Sequence, residues 1–150
     1  MTRSWPSLEL DSVYAARDLI APHSWCPALM PSSGLSRITG AKIHLKPECL
    51  QPTGSFKVRG ALNKLASLPA GAWKRGVVTA SSGNHGLGVA YASQALGLPP
   101  VTVFVPESTP AAKLDRLCSY GCRISLAGAD YDASHVLAEE YTHRQGATYI

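Results

Sequence analysis

Gly76–Gly97, GVVTASSGNHGLGVAYASQALG, decides how the rest of the chain is read. GVVTA is a short β-branched, apolar run of strand length. SSGNHG is a polar turn, and NHGLGVAYASQALG reads as a helix closed by Gly97. The same alternation continues downstream. VTVFVP is a second strand, and PAAKLDRLCSYG a second helix with Pro110 at its start and Gly121 as its cap. CRISLAG is a third strand. DYDASHVLAEEYTHRQG is a third helix, capped at one end by Asp130 or Asp132 and at the other by Gly146, and ATYI opens a fourth strand. Strand and helix alternating through short loops imply right-handed crossovers and a parallel sheet covered on both faces. Residues 76–150 are therefore expected to form a small four-stranded αβα domain.

Residues 1–75 close no core of their own. Residues 9–20 look like an amphipathic helix ended by Pro22, AKIHLKPE (41–48) alternates as a strand, and residues 55–68 look helical up to LPAGA. This part is expected to open a second, incomplete domain, and the chain to be the front of a longer protein.

Composition excludes several function classes. Residues 1–75 carry ten Lys/Arg against four Asp/Glu, a net of +6, and residues 76–150 carry four against six, a net of −2. The basic residues form no run or helical stripe, so a small anionic ligand fits better than nucleic acid. Cys26, Cys49, Cys118 and Cys122 include no C-x-x-C pair and have no histidine at ligand spacing, so no metal site is expected. Cys118 and Cys122, one turn apart, read as two buried small apolar residues. The N-terminus lacks an apolar signal core, and reduced thiols in the cytoplasm are the default. Gly76–Pro106 contains no Asp, Glu, Lys or Arg, yet SSGNHG and Pro99-Pro100 break it into pieces too short to span a membrane.

Two stretches carry candidate chemistry. In QPTGSFKVRGA (51–61), Thr53 and Ser55 are good helix N-caps, which puts Lys57 in a first turn where the helix dipole disfavours a cation. A solvated helix lysine is the bland reading. A functional lysine would use the positive potential and partial burial there to lower its ammonium pKa and form an imine, with Phe56 beside a flat ring. In TASSGNHG (79–86), Ser81, Ser82, Gly83 and Asn84 lie at the carboxyl end of a strand and the start of a helix, an anion-binding arrangement. The bland alternative is that Ser82 or Asn84 merely caps the helix, and His85 a surface or core histidine. The glycines at 83, 86 and 88 do not match a dinucleotide fingerprint.

Taken together, KPECLQPTGSFKVRGA and SSGNHG resemble the fold-type-II pyridoxal-phosphate enzymes, within them the serine/threonine dehydratase and serine racemase group, from about Ser24 to Ile150. Gln51 before Pro-Thr-Gly is more similar to this group than to cysteine synthases. The resemblance implies a tryptophan synthase β-like, three-layer αβα fold and pyridoxal 5'-phosphate as cofactor. It implies that Lys57 holds the cofactor as a Schiff base and takes the substrate Cα proton. It implies that Phe56 stacks on the pyridine ring and Asn84 hydrogen-bonds the phenolic oxygen. Ser81, Ser82, Gly83, Asn84 and His85 would hold the substrate carboxylate. The implied reaction is dehydration and deamination of L-serine or L-threonine to the keto acid and ammonia. In racemases of the group a serine matching Ser82 is the second base, which keeps serine racemisation open. An inactive, carboxylate-binding chain is the third reading. Leu87 stands where many relatives carry glutamine. The family's phosphate-cradling glycine-rich loop is expected beyond Ile150, and a homodimer is the expected assembly of a full-length protein.

Overall fold

The computed structural model describes residues 9–150. Helix α1, Leu10–Ile20, runs into a single 3₁₀ turn at Ala21–His23, where Pro22 ends the α-helical pattern. The antiparallel pair β1 (Met30–Pro31) and β2 (His44–Leu45) flanks α2, Ser33–Thr39. The strand expected over 41–48 is thus two residues long. Both of its residues are exposed and Pro47 follows closely, so neither a buried face nor a further ladder bond extends it. Helix α2 escaped the sequence reading, although its signals are local. Ser32 Oγ accepts from Leu35 N at 3.4 Å, and Gly40 closes the helix at φ 70°.

Helix α3, Lys57–Ala66, is followed by the short α4, Ala70–Arg75, begun by Pro69 where the sequence reading placed only a stop. The main sheet then forms as expected. β3 (Val77–Ala80), β4 (Thr102–Val105), β5 (Arg123–Leu126) and β6 (Thr148–Tyr149) are parallel in the order β5-β4-β3-β6, joined through α5 (Asn84–Ala95), α6 (Ala111–Cys118) and α7 (Tyr131–Gln145).

All four residues of β3 are buried, so successive side chains feed opposite layers. On one face Val77, Val101, Val103 and Val105 pack with Val89, Ala90 and Ala92 of α5 and with Leu117. On the other, Val78, Ala80 and Phe104 pack against Ala138 of α7. Outside α5 lies α3, whose Val58, Ala61, Leu62 and Leu65 join the first cluster, as does Ile20 of α1. Each such fully buried Val or Leu stabilises the fold by roughly 1.5–3 kcal/mol. The first cluster therefore couples the segment before residue 76 to the sheet behind it, and it fixes α3 against α5. Among the described residues no helix is long and apolar enough to cross a membrane.

The two cysteines read as a buried pair are not one. Helix α6 ends at Cys118, which is exposed, and Cys122 follows the Gly121 turn, half-buried, its thiol donating to Leu117 O at 3.3 Å.

Candidate active site

Lys57 is the first residue of α3 and Asn84 the first of α5, and the two helices meet near these ends. A Cβ built on Gly88 would stand 3.2 Å from the carbonyl carbon and oxygen of Lys57. A hydrogen there lets the α5 backbone lie directly against the start of α3. The backbone that bears Lys57 is thereby packed against the first turns of the helix that follows the 81–85 loop.

The local structure differs from the capping scheme read in sequence. The residue before α3 is Phe56, in helical conformation, and no side chain caps the helix. Thr53 and Ser55 are instead buried, at 0% and 8% exposure, and their hydroxyls have no hydrogen-bond partner among the described residues. Unpaired buried hydroxyls are costly and in folded proteins mark places where a further polar partner belongs. The Pro-Thr-Gly turn does form. Gly54 N donates to Gln51 O at 2.7 Å and Gly54 adopts φ +75°.

In the second stretch Gly83 precedes α5 with no side-chain cap. Ser81 Oγ accepts from Gly83 N at 3.2 Å and so shapes the turn itself. Ser82 and Asn84 cap nothing, which removes the bland reading for both. Gly86 is required because a Cβ there would overlap the Ser81 carbonyl oxygen. His85 is half-buried, its Nε2 3.2 Å from Ile150 O, a carbonyl that also accepts from Thr79 Oγ1 at 2.8 Å.

These residues line two neighbouring depressions. Phe56, Lys57, Lys64 and His85 line a cleft of about 370 Å³. Ser82, Gly83 and Asn84 line a hollow of about 240 Å³ together with Leu87, Lys113 and Arg116. Of the loop, His85 lines the first and Ser82, Gly83 and Asn84 the second, so Lys57 and Asn84 line different depressions. Lys57 Nζ stands 5.3 Å from the centroid of the Phe56 ring. Both residues are exposed, Phe56 to 60%, so the partial burial expected for Lys57 is absent. The fit to pyridoxal phosphate is nevertheless good at its aldehyde end. The cleft offers a reachable primary amine, a flat ring beside it and a further positive charge from Lys64, while the charge of Arg59 is taken up by Glu48.

Sequence reasoning missed what holds the lysine-bearing turn. Gln51, only 3% exposed, accepts from Trp25 N at 3.0 Å through Oε1 and donates through Nε2 to Trp25 O at 2.8 Å and Glu48 Oε2 at 3.1 Å. Arg59 closes the network, donating through Nε and Nη2 to the two Glu48 oxygens at 2.8 Å each, and through Nη2 to Trp25 O at 2.8 Å. The forked hydrogen bonds from Arg59, with its positive charge, outweigh desolvation and hold the Glu48 carboxyl below its ordinary range. From the sheet side, Arg116 Nη2 donates to Thr53 O at 2.8 Å and Tyr120 OH to Pro52 O at 3.2 Å. Gln51 and Arg59 sit within the quoted motif, but their partners lie 26 and 11 residues away, beyond any local pattern.

Comparison with known proteins gives a consistent answer. The family model described as "Pyridoxal-phosphate dependent enzyme" matches residues 20–150. The L-threonine ammonia-lyase of Thermotoga maritima is 44% identical over 123 residues, 82% of this chain and 30% of the relative. The biosynthetic L-threonine dehydratase of Mycobacterium bovis is 40% identical over 147 residues, 96% of this chain and 34% of the relative. Maize serine racemase superposes with a TM-score of 0.85 at 33% identity, covering 95% of this chain and 43% of that one. The chain thus spans about a third of the length of these curated relatives. With its three-layer fold, its lysine-bearing cleft and this match, the chain belongs to the pyridoxal-phosphate dependent enzyme family.

Proposed function

We propose that this chain is the lysine-bearing part of an ammonia-lyase that dehydrates and deaminates L-threonine or L-serine to the keto acid and ammonia. The observation that supports the reading is the junction of α3 and α5, where the Lys57 backbone packs on Gly88 and the exposed lysine shares a cleft with His85 of the loop. When bound, pyridoxal phosphate draws electron density away from the substrate Cα. Lys57 would hold the cofactor through its aldehyde, and its amine, once free, would take the proton from Cα. Phe56 would hold the ring by its face, and Asn84, from the far side of the loop, would donate to the phenolic oxygen. The backbone and side-chain donors of Ser81, Ser82, Gly83, Asn84 and His85 hold the substrate carboxylate and so orient the bond to be broken.

Ser82 favours a second reading, serine racemisation. It is half-buried at the hollow and caps no helix, so its hydroxyl is available as a base on the face opposite Lys57. The boundary near residue 75, a cytoplasmic location and a homodimeric whole protein belong to the same proposal. Adding pyridoxal phosphate tests it: a visible absorbance band from the lysine adduct is expected, and Lys57→Ala abolishes it. Persistence of the band in Lys57→Ala rejects Lys57 as the anchor. Parallel assays for keto acid from L-threonine and L-serine, and for D-serine from L-serine, separate lyase from racemase.

A further inference from the structure

At the amino end of the main sheet a cavity of about 360 Å³ opens beside the first residues of three strands, Val77, Thr102 and Arg123. The 81–85 loop leaves the opposite, carboxyl end of β3, so the cavity is a separate place in the fold. Val78 pairs with Thr102 and Thr102 with Arg123, and residues paired across parallel strands project to one face. That face is the one under α7, where Val78 packs with Tyr141. Arg123 therefore flanks the cavity two strand spacings from Val78, about 10 Å. Arg75 flanks it on the other side. Its Nε donates to Gly146 O at 2.9 Å, in the turn from α7 to β6, and Lys74 beside it adds a third cation. No Asp or Glu lines the cavity, and among the described residues none of the three cations takes part in an ion pair. The end of α4 favours cations, which accounts for Lys74 and Arg75 but not for Arg123.

Three positive charges around one space repel one another until an anion enters. Trp73 and Tyr141, both half-buried, give the same space aromatic walls. We propose that the cavity binds a small phosphate monoester carrying a flat ring, with the phosphate among Lys74, Arg75 and Arg123 and the ring against Trp73 and Tyr141. A phosphate monoester carries about −1.5 to −2 charge at pH 7 and three strong acceptor oxygens, a better match to three cations than one carboxylate. Arg75 is already fixed by Gly146, so it loses little freedom on binding. The inference depends neither on Lys57 nor on the 81–85 loop.

The experiment is a titration of the 150-residue chain with phenyl phosphate, inorganic phosphate and phenol, followed by backbone amide, arginine Nε–H and Trp73 indole shifts. Phenyl phosphate is expected to move Gly76, Thr102, Arg123 and Trp73 resonances. It should bind about fivefold more tightly than inorganic phosphate at low ionic strength, with the affinity of both falling as salt is raised. Phenol alone should move none of these resonances. Lys74→Gln and Arg123→Gln, at exposed positions, should each weaken phenyl phosphate severalfold. Arg37→Gln on α2, the same charge change outside the cavity, should leave the affinity intact. No shift at the cavity, equal affinity for phenyl and inorganic phosphate, or an affinity unchanged in both Lys74→Gln and Arg123→Gln each overturns the proposal. So do shifts that disappear in Lys57→Ala, which would put the phosphate in the lysine cleft. The adduct band at Lys57 is read separately with pyridoxal phosphate. Its absence alongside intact phenyl phosphate binding rejects the proposed lyase chemistry and leaves this site standing.

Discussion

Gly88→Ala separates a packing requirement from helix propensity. In an open helix position, glycine to alanine stabilises by about 0.5–1 kcal/mol, because alanine loses less backbone entropy on folding. At Gly88 the new Cβ would sit 3.2 Å from the Lys57 carbonyl atoms and 3.3 Å from Val58 N. Carbon atoms pack comfortably at about 3.5–4.0 Å, so the start of α3 must retreat by a few tenths of an ångström. Backbone cannot swing away as a side-chain tip can, and overpacking of this kind costs about 1–3 kcal/mol. The net expectation is destabilisation by roughly 1–2 kcal/mol, after subtracting the propensity gain. Gly60, also helical, has no atom within 4 Å of its virtual Cβ and supplies the internal control. Gly60→Ala should stabilise, placing the two variants about 2–3 kcal/mol apart; at about 2–4 °C per kcal/mol for a chain of this size, their melting temperatures should differ by roughly 5–10 °C. Thermal unfolding followed by far-ultraviolet circular dichroism measures this directly. A Gly88→Ala chain that melts at or above the parent temperature refutes the contact between α5 and the Lys57 backbone, and with it the joint placement of lysine and loop.

Other outcomes follow from the same geometry. Because Arg59 holds the Glu48 carboxyl below its ordinary 4.5, the pair contributes fully above that pH and its contribution is lost as the pH falls through the depressed folded value. Glu48→Gln should cost about 1 kcal/mol near neutral pH and flatten the acid limb of the stability profile, measured by urea unfolding between pH 7 and 3. Thr53→Val removes a buried hydroxyl that has no partner and should raise stability by about 1 kcal/mol; a loss instead would mean the hydroxyl is bonded in solution. Burial, with the neighbouring Cys118 second, pushes the Cys122 thiol up to about 11, whereas Cys118 is exposed. Iodoacetamide near pH 8 should therefore modify Cys118 and spare Cys122, as mass spectrometry of the digested chain will report.

The amino-acid sequence by itself determined the alternation of strands and helices after Gly76, because both periodicities and the glycines at 97, 121 and 146 act within a few residues of chain. It also determined that Lys57 lies in the first turn of a helix and that SSGNHG joins a buried strand to the helix after it, since these are local strand, turn and helix signals. Helix α2 was equally local and was overlooked, as Ser32 and Gly40 bound too short an apolar pattern to register. Tertiary structure decided what depends on partners distant in sequence. It made Thr53 and Ser55 buried rather than capping, left Lys57 and Cys118 exposed, and split the candidate site into a lysine cleft and a cationic hollow. Arg116 reaches Thr53 across 63 residues and Gln51 reaches Trp25 across 26, and no local pattern records which carbonyl a long side chain will find. Periodicity fixes which face of an element is apolar; only the packing of one element on another fixes what that face and its neighbouring polar groups touch.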